Sequence, residues 1–185
     1  RNFRPHRDLS VTKEFQLYLT RLILMPWQAI ERRISTLRIK YGGFPYHLAL
    51  LQLEHDSSFQ EHSPFETMPD FLDLVIEGFA KGAPQHHHLV FKAHPLEDGR
   101  APLRCSIREM SKKYGVTNRV HFVRGGKLAQ LLNDARTAVT VNSTAALQVL
   151  WRGIPLKVFG SAVYTQPEFV SDQPLPEFFA GASRP

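Results

Sequence analysis

Between Tyr46 and Phe159 the hydrophobic period switches repeatedly, and each switch has the same form: a short apolar, β-branched run gives way to residues recurring three and four apart. The runs are Tyr46 to Glu54, Leu89 to Lys92, Arg119 to Val123, Thr137 to Asn142 and Pro155 to Phe159. Between them lie helical patterns: Phe71, Leu72, Val75, Ile76 and Phe79; then Leu103, Ile107, Met110 and Tyr114; then Leu128, Leu131 and Leu132; then the segment opening at Ser143. A strand whose neighbours in sequence are helices is covered on both faces, so it reads as continuously apolar and pairs in parallel through right-handed crossovers. The pattern predicts an α/β fold, a Rossmann-like parallel sheet of five strands with flanking helices.

Local signals agree. Thr67-Met-Pro-Asp70 has a cap residue, a proline in the first turn and an acid placed to reach back to the cap, and Gly82-Ala-Pro84 ends that helix. The 185 residues, 43% of them hydrophobic, suffice for one well-buried domain and fall short of two. Gly42-Gly43-Phe44-Pro45 separates a basic helical segment, 1–42, from the periodic domain, 43–185. The chain opens on Arg1 without a methionine and reads as part of a longer protein.

In open parallel sheets ligands gather at the carboxyl ends of the strands. Three such ends carry chemistry here. The run through Phe91-Lys92-Ala93 ends on His94-Pro95, and proline restricts the residue before it to extended backbone, so His94 is expected at the strand exit with little freedom. The run to Val141 ends on Asn142-Ser143-Thr144, where a helix start offers free N–H groups, the positive end of the dipole and two hydroxyls to a phosphate. The same three residues also suit a plain helix cap. The first run ends on Gln52, Glu54 and Asp56, which share one face if the backbone stays extended. A Gly-x-Gly-x-x-Gly or Walker A sequence follows none of the strands, which disfavours a dinucleotide or ATP site.

His94-Pro95, Asn142-Ser143-Thr144, the Gly153 to Gly160 strand and Gln52-Leu-Glu-His-Asp56 together resemble the capsule polysaccharide biosynthesis proteins, over about residues 43 to 170. This family includes bacterial transferases that use CMP-Kdo, the cytidylate of 3-deoxy-manno-octulosonic acid. The resemblance implies the nucleotide-binding C-terminal domain of a GT-B glycosyltransferase. It implies a CMP-sugar donor held by Gln52, His94, Pro95, Asn142, Ser143 and Thr144, with no metal and no further cofactor. Its lipid or oligosaccharide acceptor would sit partly on a domain outside this chain. Asp56 is the implied nucleophile or base, Glu54 the reserve, and His94 a donor to the leaving phosphate. The aromatic, Pro-rich loop around Tyr164 to Pro167 is expected near the nucleotide. Two rivals stand beside this reading: a transferase for a UDP-sugar or CMP-sialic acid, and a non-catalytic capsule assembly or export factor that keeps the fold.

Charge is uneven. Residues 1 to 40 hold nine Lys and Arg against three acids, the remainder fourteen of each, so the formal charge of +6 belongs to the first segment. That segment reads as helix from Val11 to Tyr41, interrupted at Pro26, with an apolar side and projecting arginines. It suits either an anionic membrane surface or packing between domains. Nucleic acid is disfavoured, because no basic stripe interleaves with aromatics in the globular part. With no apolar run long enough to span a bilayer, the expected location is cytoplasmic, at most peripheral on the inner membrane. Single Cys105 excludes disulfide scaffolds and is expected as a buried thiol. His86-His87-His88 cannot all face one ion from an extended segment, and a solvated start of a strand is expected there. Past Ser161 the tail, rich in proline and aromatics, is expected to wrap across the domain without periodicity.

Overall fold

The computed structural model describes residues 30, 33–54, 56–97 and 102–181. Five strands form one sheet: β1 (Tyr46–Leu50), β2 (His88–Lys92), β3 (Val120–Val123), β4 (Ala135–Thr140) and β5 (Leu156–Val158). Their order is β3-β2-β1-β4-β5 and every pairing is parallel. The chain fills one half of the sheet outward from β1, then returns to β1's other side, so a topological switch point lies between β1 and β4. The expected Rossmann-like α/β fold is the one formed.

Side chains alternate across β1. Ala49 joins Phe91, Phe71, Val75 and Phe79 in a core under α3 (Met68–Gly82), α4 (Leu103–Lys113) and α7 (Leu175–Gly181). Leu48 and Leu50 join Val90, Leu131 and Val149 on the opposite face under α5 (Leu128–Asp134) and α6 (Ala146–Leu150), with Ile39 of α1 (33–40). Thr67 and Asp70 form the predicted capping box, with the Thr67 N–H donating to the Asp70 carboxylate at 2.9 Å.

Residues 57–62 form α2 (Ser57–His62), because Asp56 caps them through the Ser58 N–H and Phe59 anchors the turn in the core. Three expectations are corrected. The tail is not aperiodic. Leu175 to Gly181 is helical, with Pro176 and Glu177 in its first turn, and buries Phe178 and Phe179. It lies so close to α3 that a Cβ on Gly78 would run into the Leu175 side chain, and one on Gly82 into the Pro176 backbone. Cys105 is exposed, on the outer face of α4 beside Glu109 at 3.5 Å. The histidine run is not a solvated start either. His87 is buried and meets His47 at 3.0 Å, whose other nitrogen meets Thr137 Oγ1 at 2.8 Å, while His88 meets His121 at 2.8 Å. These pairs occupy the amino-terminal end of the sheet, away from the candidate site.

Thr36 and Ile39 face the domain and are buried. The remainder of the expected N-terminal helix, before residue 30, lies outside the described residues. Among the described residues no helix is long and apolar enough to cross a membrane.

Candidate functional site

The carboxyl ends of β1 and β4 are joined by side chains. After Leu50 the chain leaves the strand, and buried Gln52 turns toward β4. Its Oε1 accepts the Asn142 backbone N–H at 2.9 Å and its Nε2 donates to Asn142 Oδ1 at 2.6 Å. Asn142 Nδ2 donates in turn to the Ser58 carbonyl at 2.6 Å, so one amide ties β1, β4 and α2 together. A buried amide with all these groups matched is rigid, because releasing any of them leaves an unpaired polar group.

Gln52, Glu54 and Asp56 do not share a face. The backbone is no longer extended after Gln52, and the two carboxylates serve different helices. Glu54 Oε1 accepts the Met68 N–H at the start of α3 at 3.3 Å. Asp56, exposed, accepts the Ser58 N–H at 3.3 Å as the cap of α2.

His94 stands at the exit of β2, beside β1. Its carbonyl accepts the Glu97 N–H at 3.0 Å, which makes His94-Pro95-Leu96-Glu97 a β-turn with proline at its favoured second position. Nδ1 accepts the Leu96 N–H at 3.2 Å, so a neutral ring carries its proton on Nε2 and presents it as a donor away from the turn. Pro95 is exposed within that turn.

Ser143 does not open α6 directly. It begins a turn whose hydroxyl accepts the Ala145 N–H at 3.3 Å and whose carbonyl accepts the Ala146 N–H at 3.0 Å, so the expected free donors are partly used by its own cap. Thr144 is exposed on that turn. The Tyr164 hydroxyl donates to the Ser143 carbonyl at 2.5 Å, tying the Pro-rich loop to the turn, and burial pushes the phenol up to about 12. Gly160 passes between these pieces. Its N–H donates to the Val141 carbonyl at 2.8 Å, and a Cβ there would press on the His62 carbonyl.

His94 and Ser143 thus flank the β1 exit from opposite sides, two strand spacings or about 10 Å apart. One group at this edge received no role from the sequence. Lys92 is buried at the end of β2 with Nζ donating to the Ala93 carbonyl at 3.0 Å. A lysine inside an apolar strand was its only signal, since buried lysines are rare. Among the described residues no three His, Cys, Asp or Glu side chains come together as metal ligands.

A parallel sheet in this order, with its polar side chains gathered at the carboxyl edge around the switch point, is a Rossmann-like architecture. The chain belongs to the capsule polysaccharide biosynthesis protein family, which it matches over residues 1–185. It is 38% identical over 119 residues to the capsule polysaccharide export protein KpsS of Escherichia coli, covering 64% of this chain and 31% of that protein. It is 31% identical over 173 residues to the capsule polysaccharide modification protein LipB of Neisseria meningitidis, covering 93% of this chain and 39% of that one. The chain therefore spans between 31% and 39% of the length of these relatives. Among solved structures it is similar to the β-Kdo 2,7 transferase KpsC of Thermosulfurimonas dismutans, with a TM-score of 0.52 and 18% identity over 80% of this chain and 47% of that one. At that identity the likeness is one of fold.

Proposed function

We propose that this chain is the nucleotide-sugar-binding part of a capsule glycosyltransferase, which passes Kdo or a related sugar from a CMP-sugar to a lipid or glycan acceptor. The observation that carries this reading is the arrangement of His94 and the Ser143 turn on the two sides of the β1 exit, with the Gln52–Asn142 bridge between them. When CMP leaves such a donor it departs as an anion, so holding negative charge on its phosphate is the largest service the protein can supply. Nε2–H of His94 is the donor available for that task, and Thr144 adds an exposed hydroxyl. Asn142 and Gln52 spend their amides on each other and on Ser58, so they shape the nucleotide site rather than grip the ligand. Asp56 is the proposed nucleophile or base, at the loop that the same bridge fastens down; Glu54 is the reserve. The chemistry calls for no divalent metal.

The non-catalytic reading, a capsule export or assembly factor keeping the fold, has one observation in its favour: both carboxylates already serve as helix caps.

Calorimetric titration of CMP, UMP, UDP and AMP tests the site. Selective CMP binding that is lost in His94→Ala supports the CMP-sugar reading. Binding that is unchanged in His94→Ala removes His94 from the phosphate site.

A further inference from the structure

The outer edge of the sheet carries a second feature, independent of the nucleotide edge. No described element pairs with β3 on its far side, and α1 and α4 straddle that open edge, one on each face of the sheet. Between them runs a groove of about 830 Å³ that follows the strand from Val120 to Arg124, about 16 Å of extended chain. Its floor is apolar. Ile39, Ile107 and Val123 are at most 4% exposed, with Phe122 beside them. Its rim is strongly basic, with Arg38 from α1, Arg104 and Arg108 one turn apart on α4, and Arg124 at the strand's end. Among the described residues no carboxylate lines it. Among the same residues, Nε of Arg124 is buried without a hydrogen-bond partner.

Open strand edges are normally blunted by lysine, proline, a bulge or a covering element. Val120-His-Phe-Val123 has none of the first two, and its pairing with β2 runs without interruption. The flanking helices leave the edge accessible while walling its two sides. We propose that this groove receives an extended acidic and apolar segment of a partner protein, which adds to β3 as a sixth strand. Main-chain hydrogen bonds to the edge supply affinity, and alternate side chains go to the two walls: apolar ones to the recessed floor, carboxylates to the guanidinium groups as charge-assisted hydrogen bonds. The shape of the floor favours a strand over a membrane surface, because Ile39, Ile107 and Val123 are recessed between two helices where a flat bilayer does not reach, although Ile30 and Ile34 of the same wall are exposed. Charge argues against this chain's own residues 1–29 as the occupant, since they carry Arg1, Arg4, Arg7, Lys13 and Arg21 against Asp8 and Glu14.

The test is fluorescence anisotropy with the full chain and a labelled short peptide alternating valine and aspartate, compared with a valine–lysine peptide and with the acidic peptide N-methylated at alternate residues. The expected result is saturable binding of the acidic peptide, at least about tenfold weaker for the lysine peptide and for Arg104→Ala/Arg108→Ala, and lost on N-methylation. Slowed hydrogen exchange at Phe122 and Arg124 should accompany it. Both arginines are exposed, and an unchanged circular dichroism spectrum separates lost binding from lost folding. Equal binding of the N-methylated peptide, or none of the acidic one, overturns strand addition. Capture of phosphatidylglycerol vesicles through the same arginines, without peptide binding, reassigns the groove to a membrane surface. Phe122 and Arg124 amides already protected in the free chain would show the edge to be filled from within.

Discussion

Gln52 and Asn142 bind each other twice across the switch point, side chain to backbone at 2.9 Å and side chain to side chain at 2.6 Å, although ninety residues separate them in the chain. Asn142 extends the link to the Ser58 carbonyl, so three segments of the candidate site move as one. The geometry of Asp56 and the Ser143 turn therefore depends on two side chains that need not touch a ligand.

Breaking that link should be costly. Gln52→Ala leaves the Asn142 N–H and Oδ1 buried without partners, and a loss of about 1–3 kcal/mol of unfolding free energy is expected. Urea titration measures it; an unchanged midpoint would mean that water replaces the amide at no cost and that the bridge does not hold the edge together.

Asp56 has a structural duty that a well-chosen substitution preserves. Asn caps helices about as well as Asp, so Asp56→Asn should leave stability within about 0.5 kcal/mol of the parent. In the full-length protein the same change should spare CMP binding and abolish transfer. Retained turnover would exclude Asp56 as an essential carboxylate and leave Glu54 to be tried.

Acid should unfold the domain through its histidines. Burial, followed by the nearby charge of His87 and Arg136, lowers His47 to about 3. Burial likewise lowers His87 and His121 to about 4, with His86 and His88 respectively as the next cause. These groups are neutral in the folded state and take protons in the unfolded chain near 6.5, so stability is intact above that pH and falls as pH drops toward 4. For His47 alone the slope is about 1.4 kcal/mol per pH unit. Urea midpoints at successive pH values from neutral down to about 5 should show this decline, shallower in a His47→Gln variant that folds. A flat profile would mean that the imidazole pairs are open to water.

The α3–α7 contact is tight enough to feel one methyl group. Gly78→Ala places a Cβ against Leu175, and overpacking of this kind costs about 1–3 kcal/mol, outweighing the gain in helix propensity. Thermal melting reads it; a raised melting temperature would mean that α7 shifts away freely.

The sequence by itself determined the order and kind of the main elements. Its alternation of β-branched runs with helical spacing is a local property, set by which residues a twofold or a 3.6-fold period places on a buried face. The capping box at Thr67 and the strand ends at His94 and Asn142 were legible for the same reason. The family resemblance was carried by those short motifs too. What only the tertiary structure decided are partnerships across the chain. Nothing near Gln52 says that its amide faces Asn142, or that Glu54 and Asp56 part company to cap separate helices. Nor does a run of three histidines announce that His87 turns in to His47 while His88 turns to His121. α7 was missed because its apolar residues are few and its burial depends on two glycines of α3 distant in sequence. Cys105 was misplaced because a helix's buried face is chosen by the sheet it packs on. Periodicity is written locally, but the pairing of polar groups is settled only when the sheet brings distant strand ends within hydrogen-bonding distance.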